Sequence, residues 1–158
     1  MTKHDAAPLI EIKDLERKFD VSKSPLSRFF NRGQKQYLKA VDGVSLEIPK
    51  GETLSIVGES GCGKSTTSEI LVRLLDATSG QVLFDGQDIA GIPAQRFVRD
   101  PRRAQIQMVF QDATDSLNPR HSARQSIAEP LRRLAGMRGP QLTARVEELA
   151  TLVGLPLP

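Results

Sequence analysis

The sequence predicts an α/β fold, and three observations carry that expectation. Strand-like runs and segments of helical periodicity follow one another along the 158 residues. A glycine-rich loop, Gly58 to Ser65, lies between an apolar run and a segment with helical spacing. Composition is 39% hydrophobic and 26% charged, with aromatics at 4%, which calls for an aliphatic core in one globular domain.

The elements are expected in this order. Residues 1–8 are polar and form a flexible terminus. Leu9 to Leu15 alternates as a half-buried strand does. Residues 20–36 are rich in Ser, Lys, Arg and Gly and form a surface loop, with one helical turn at Leu26 to Phe30. Tyr37 to Ile48 is a second strand, with a bend at Asp42-Gly43, and residues 49–52 are a turn. The apolar run Thr53 to Val57 is a buried strand of the kind parallel sheets produce. A helix covers Lys64 to Leu75, with Ile70, Leu71, Leu74 and Leu75 on one face. Gly80 to Phe84 is a strand ending in the turn Asp85-Gly86. Pro93 to Arg103 is a short basic helix, and Ile106 to Phe110 a further strand. A loop runs through Pro119. Ser122 to Ala135 and Leu142 to Leu152 are helices separated by Gly136, Gly139 and Pro140.

Charge and cysteine content narrow the setting. A net charge of +3 suits an anionic ligand without singling out nucleic acid, and the basic residues from Arg96 to Arg103 lack interleaved aromatics. The single cysteine, Cys62, excludes an internal disulfide and fits a reducing compartment. No long apolar run follows Met1, so no signal peptide is expected, and no stretch nears the roughly 20 apolar residues of a membrane helix.

The strongest chemical signal is Gly58-Glu59-Ser60-Gly61-Cys62-Gly63-Lys64-Ser65-Thr66, which fits the phosphate-binding pattern G-x-x-x-x-G-K-[ST]. Glycines let backbone N–H groups point inward at phosphates, and a helix starting at Lys64 aims its positive end there. Lys64 supplies charge for the β- and γ-phosphates, and Ser65 a hydroxyl for Mg²⁺. Thr66 supports the α- or β-phosphate side. Cys62 has no adjacent His to act as a base and reads as a small loop residue.

The surrounding residues resemble one family. Leu38 to Ile48 with Lys50 to Thr53, Thr78 to Val82 with Asp85 to Ile89, and Ile106 to Asp112 resemble segments of ATP-binding cassette (ABC) transporter ATPases. Ser116-Leu117-Asn118-Pro119-Arg120 and Ile127-Ala128-Glu129-Pro130-Leu131 are similar to the subfamily that powers import of dipeptides and oligopeptides, and sometimes of nickel or glutathione. The resemblance implies a P-loop NTPase core over residues 9–121, with an antiparallel β-region at its front, and the beginning of a helical subdomain over 122–158. It implies ATP and Mg²⁺ as cofactors, with Lys64 and Gln111 catalytic and Ser65 and Gln111 on the metal. Gln111 would touch Mg²⁺ and the attacking water, and Phe19 would stack on adenine. The implied partners are transmembrane permease subunits, a second ATP-binding subunit and, indirectly, a substrate-binding protein, with no nucleic acid. The implied location is the cytoplasmic face of the inner membrane.

Family motifs are also missing. There is no Leu-Ser-Gly-Gly-Gln segment; Ser79-Gly80-Gln81 resembles it only superficially. Val82-Leu83-Phe84-Asp85 is followed by Gly86, not by the Glu of a Walker B strand. His4 and His121 do not match the switch histidine. The resemblance therefore implies a C-terminally truncated chain with weak ATP binding and negligible hydrolysis. Two other readings stay open on the residues: a nucleotide or small-molecule kinase with Arg99, Arg102 and Arg103 as a lid, and a non-catalytic module that docks to a permease.

Overall fold

A computed structural model describes residues 7–22, 35–112 and 116–155. It divides into two compact units, Met1–Val98 and Arg99–Pro158. The first holds β1 (Ile10–Asp20), β2 (Tyr37–Ile48), α1 (Lys64–Leu71), β3 (Ser79–Phe84), β4 (Gln87–Asp88) and the short α2 (Ala94–Phe97). The second holds a 3₁₀ turn at Pro101–Ala104, then α3 (Ala123–Arg133) and α4 (Gly139–Leu152).

The sheet of the first unit has strand order β2-β1-β3-β4, antiparallel throughout. β1 is longer than its alternation suggested and runs on to Asp20, because it pairs with β2 as far as Asp20↔Tyr37. Its buried residues Ile12 and Leu15 stand three apart instead of two. The pairing register shifts between them, and Asp14 takes φ 46, so a bulge turns Leu15 back to the core. Asp tolerates this conformation, and the Ser45 hydroxyl holds the Asp14 N–H at 2.9 Å. Gly80 of β3 is required opposite: a Cβ there would strike the Asp14 carbonyl. The turn between β3 and β4 has positive φ at both Asp85 (49) and Gly86 (73), the geometry of a tight hairpin. Ile12, Leu15, Ile70, Val82, Ile89 and Phe97 form the centre of the aliphatic core.

Several expected elements are corrected. Thr53 to Val57 and Ile106 to Phe110 are not strands. A strand is held by its ladder, and neither run has a ladder partner among the described residues. Val57 is 91% exposed and Val109 96%. The helix after the loop stops at Leu71, not Leu75. Arg73 takes φ 57, and the N–H groups of Arg73 and Leu74 close back on the carbonyls of Ile70 (3.0 Å) and Glu69 (2.9 Å). That is the Schellman pattern, with arginine where glycine is usual. The expected helix over 93–103 breaks after Phe97. Pro101 forces Asp100 into extended backbone (ψ 134), and the Asp100 carboxylate accepts from the Arg102 N–H at 3.0 Å to start a new turn.

In the second unit α3 begins with a capping box: Ser122 Oγ accepts from Gln125 N–H (3.2 Å), and Gln125 Oε1 accepts from Ser122 N–H (2.8 Å). α4 starts at Gly139, three residues before the expected Leu142, because Pro140 suits a first helical turn. Ala128 packs with Leu142 and Val146, flanked by Ile127, Leu131 and Met137. The helical turn expected at Leu26 to Phe30, most of the 1–8 terminus and His4 lie outside the described residues.

Candidate nucleotide site

The chain leaves β2 through a turn in which Glu52 N–H bonds the Pro49 carbonyl at 3.2 Å. It then crosses 53–57 outside regular structure and enters the glycine-rich loop. Every residue from Gly51 to Cys62 is exposed. Gly61 and Gly63 take φ 83 and 95, a region where side chains are strained. Gly63 is also the N-cap of α1, and a Cβ on it would fall on the Ala40 carbonyl oxygen of β2. One glycine thus meets two demands: it turns the loop into the helix, and it lets the loop pack on β2.

Lys64 lies at the centre of the loop. Its Nζ donates to the carbonyls of Gly58 (2.6 Å) and Glu59 (2.7 Å) and lies 3.4 Å from Cys62 Sγ. The ammonium is therefore ringed by the residues that precede it. Cys62 is exposed, with its sulfur close against Gly58: a Cβ there would come within 2.7 Å of it. In the first turn of α1 the Thr67 hydroxyl donates to Gly63 O (2.9 Å) and the Ser68 hydroxyl to Lys64 O (3.1 Å). Ser65 is exposed and Thr66 half-buried. Glu59, Ser60, Gly61 and Cys62 complete an open loop of small and polar groups. Among the described residues no three His, Cys, Asp or Glu side chains gather to hold a metal. Hydroxyls, backbone amides and a lysine are a donor set that fits a phosphate chain and the hard cation it carries.

Phe19 lies in β1 opposite Leu38 of β2, half-buried. The guanidinium of Arg17 sits over its ring, 4.5 Å from the centroid. Two residues beyond Leu38 on β2 is Ala40, whose carbonyl backs Gly63. Strand β2 therefore connects Phe19 to the loop. Beside it the Lys18 ammonium, 2.6 Å away, holds the Glu16 carboxyl below the usual carboxylate range, helped by Ser79. Gln111 belongs to the second unit, where it is exposed between Phe110 and Asp112 and outside regular structure.

Sequence reasoning missed Arg17 and Arg73. Arg73 is 3% exposed, and its guanidinium donates to Asp76 Oδ1 (2.6 Å), to the Leu75 carbonyl (3.3 Å) and to the Ile92 carbonyl. Asp76 Oδ1 also accepts from the Ala94 N–H (2.8 Å), so the pair ties the end of α1 to the start of α2. A charged residue inside Leu71-Val72-Arg73-Leu74-Leu75 is the signal that pointed to it.

Comparison with known proteins bears on the family and the fold. A family profile described as ABC transporter matches residues 41–157. The oligopeptide transport ATP-binding protein AppF of Bacillus subtilis (strain 168) is 43% identical over 155 residues, which is 98% of this chain and 45% of the relative. The oligopeptide transport ATP-binding protein OppF of Salmonella typhimurium is 48% identical over 124 residues, 78% of this chain and 36% of the relative. The chain thus spans less than half the length of these relatives. Among solved structures, the dimeric post-hydrolysis state of the ATP-binding cassette MJ0796 bound to ADP and Pi superposes with a TM-score of 0.72 at 23% identity. It covers 93% of this chain and 58% of that one, and it shows the α/β cassette fold.

Proposed function

Since the chain belongs to the ABC transporter family, we propose that it is the ATP-binding part of a peptide importer, coupling MgATP binding and hydrolysis to uptake of di- and oligopeptides across the inner membrane. The observation that carries this reading is the Lys64 ammonium, fixed at the centre of an exposed glycine loop at the head of α1. A triphosphate would draw Lys64 from the Gly58 and Glu59 carbonyls to its β- and γ-oxygens. Ser65 would give its hydroxyl to Mg²⁺, and Thr66 would support the inner phosphates. Bound Mg²⁺ would supply Lewis acidity at the transferring phosphate. Gln111 would orient the attacking water through its amide, and Phe19 would take the adenine on its ring face. The peptide substrate is supported by the names of the relatives at 43% and 48% identity. Permease subunits, a second ATP-binding subunit and an indirect substrate-binding protein are the proposed partners, and the dimeric cassette supports the second of these. No helix among the described residues is long and apolar enough to cross a membrane; peripheral attachment at the cytoplasmic face is the proposed location. Residues 9–121 would be the nucleotide-binding core and 122–158 the start of a helical subdomain.

The test is thermal unfolding with and without MgATP, beside Lys64→Ala. A ligand at about a hundredfold over its Kd stabilises by about 2.7 kcal/mol, roughly 5–10 °C for a chain of this size. The expected result is an upward shift in the wild type and none in Lys64→Ala. Equal shifts in both, or no shift in either, would refute nucleotide binding at this loop. We also propose that turnover by this chain alone is negligible; steady phosphate release that Lys64→Ala abolishes would overturn that part.

A further inference from the structure

We propose that Arg17 is a positioning residue for the nucleotide base: its guanidinium covers one face of Phe19 and leaves the opposite face to the base. The inference rests on the reading of Phe19 as the base-stacking residue and goes beyond it. Phe19 is half-buried on β1, and a phenyl ring on two rotatable bonds must be held still before it offers a flat face. Arg17 lies 4.5 Å from the ring centroid, within cation–π range. Its Nη1 donates to the Asp76 carbonyl at 2.9 Å, while its Nε is buried with no hydrogen-bond partner among the described residues. Hydrogen bonding alone therefore does not fix the guanidinium; the ring contact shares in placing it.

The tether is itself rigid. Asp76 is held by Arg73 (2.6 Å) and by the Ala94 N–H (2.8 Å). The backbone of β1 is fastened to the same segment, with Thr78 N–H on Glu16 O (2.8 Å) and Lys18 N–H on Thr78 Oγ1 (2.9 Å). Residues 76–78 follow α1, the helix that begins at Lys64. The base end of the site is thus braced from the same helix whose start carries the phosphate lysine. Covering one ring face also removes half of the ways a base could stack, so Arg17 acts on binding geometry through Phe19 without touching the phosphates.

This assigns Arg17 an effect on nucleotides with a base and none on the phosphate chain alone. The experiment compares calorimetric affinities of the full chain for ATP and for inorganic tripolyphosphate, each with Mg²⁺, in wild type, Arg17→Ala, Phe19→Ala and the double variant. Arg17→Met, which keeps the aliphatic stem, replaces Arg17→Ala if circular dichroism shows that variant unfolded. The expected result is ATP weakened about three- to tenfold by loss of Arg17, tripolyphosphate changed less than twofold, and the double variant no worse than Phe19→Ala. Equal weakening of both ligands would assign Arg17 a structural role only and overturn the proposal. Unchanged ATP affinity in Arg17→Ala beside weakened affinity in Phe19→Ala would overturn it while keeping Phe19 as the stacking residue. If Phe19→Ala fails to weaken ATP relative to tripolyphosphate, or the wild type binds neither ligand, the base-stacking reading falls and this one with it.

Discussion

Arg73 adopts φ 57, which glycine would enter without strain, yet it is retained with its guanidinium buried and bonded to Asp76, Leu75 and Ile92. Two opposing terms meet in that residue, and substitution separates them. Arg73→Ala loses the bonds and keeps the strain, for an expected loss of about 2–3 kcal/mol in chemical denaturation. Arg73→Gly loses the same bonds but relieves the left-handed backbone, so it should be about 1 kcal/mol more stable than Arg73→Ala. Equal stabilities would mean that the left-handed turn carries no cost here. The same contrast explains what was legible in the sequence at this scale. Lys64, Gly58, Gly61 and Gly63 could be singled out because the pattern G-x-x-x-x-G-K-[ST] sets residue types at fixed local spacing. Arg17 could not, because the Asp76 carbonyl that holds it lies 59 residues away along the chain; Arg73 has Asp76 three residues on, but the Ile92 carbonyl it also binds is 19 residues away. Phe19 was legible as an aromatic, and the cation over its ring comes from Arg17, only two residues earlier on the same strand.

Among the elements, those whose bounds are set by local chemistry were legible: β2, β3 with its Asp85-Gly86 turn, and α3 behind Ser122. Those that depend on distant partners were not. Thr53 to Val57 and Ile106 to Phe110 have the composition of buried strands without a ladder among the described residues, and composition says nothing about a ladder. The helix expected over 93–103 failed at Asp100-Pro101, where a proline inside the pattern was the visible warning. That break makes its own prediction. Arg102 bonds the Asp100 side chain at 2.7 and 2.8 Å, and this pairing holds the Asp100 carboxyl down at about 2 from the usual 3.8, against the opposing effect of its burial. The carboxylate is the bound form, so the folded state takes up its proton only below the pH at which the unfolded state does. The stabilisation is therefore complete above about pH 4 and drains away as pH falls towards 2. Asp100→Asn should melt below wild type at pH 7, and the gap should close between pH 4 and 2. A gap that persists unchanged at pH 2 would show that the ion pair does not stabilise this turn.

For the molecule as a whole, protection should be uneven in a defined way. The sheet of the first unit and the α3–α4 pair bury their apolar faces, with Leu15, Ile70 and Phe97 fully enclosed and Val146 at 1% exposure. The first unit also carries an apolar run at 53–57 and the second one at 106–110, neither with a ladder among the described residues, and Leu54, Ile56, Val57, Val109 and Phe110 are all exposed. Exposed apolar runs of this kind mark surfaces that associate with other chains. No backbone hydrogen bond joins residues 53–57 to another described residue. In native-state hydrogen exchange, the amides of Leu54 to Val57 should therefore exchange at loop rates, while those of Ile12, Val82 and Ile70 are slowed by orders of magnitude. Concentration separates the two ways this could fail. Protection at Leu54 to Val57 that grows with protein concentration and vanishes on dilution would mean that a second copy supplies the missing ladder. Protection as strong as that of Val82 at every dilution would mean that a strand pairs there within one chain, against the arrangement described. Loop-rate exchange at all concentrations would leave the glycine loop carried by a backbone held only at its two ends, by the Pro49 turn before it and by α1 after it.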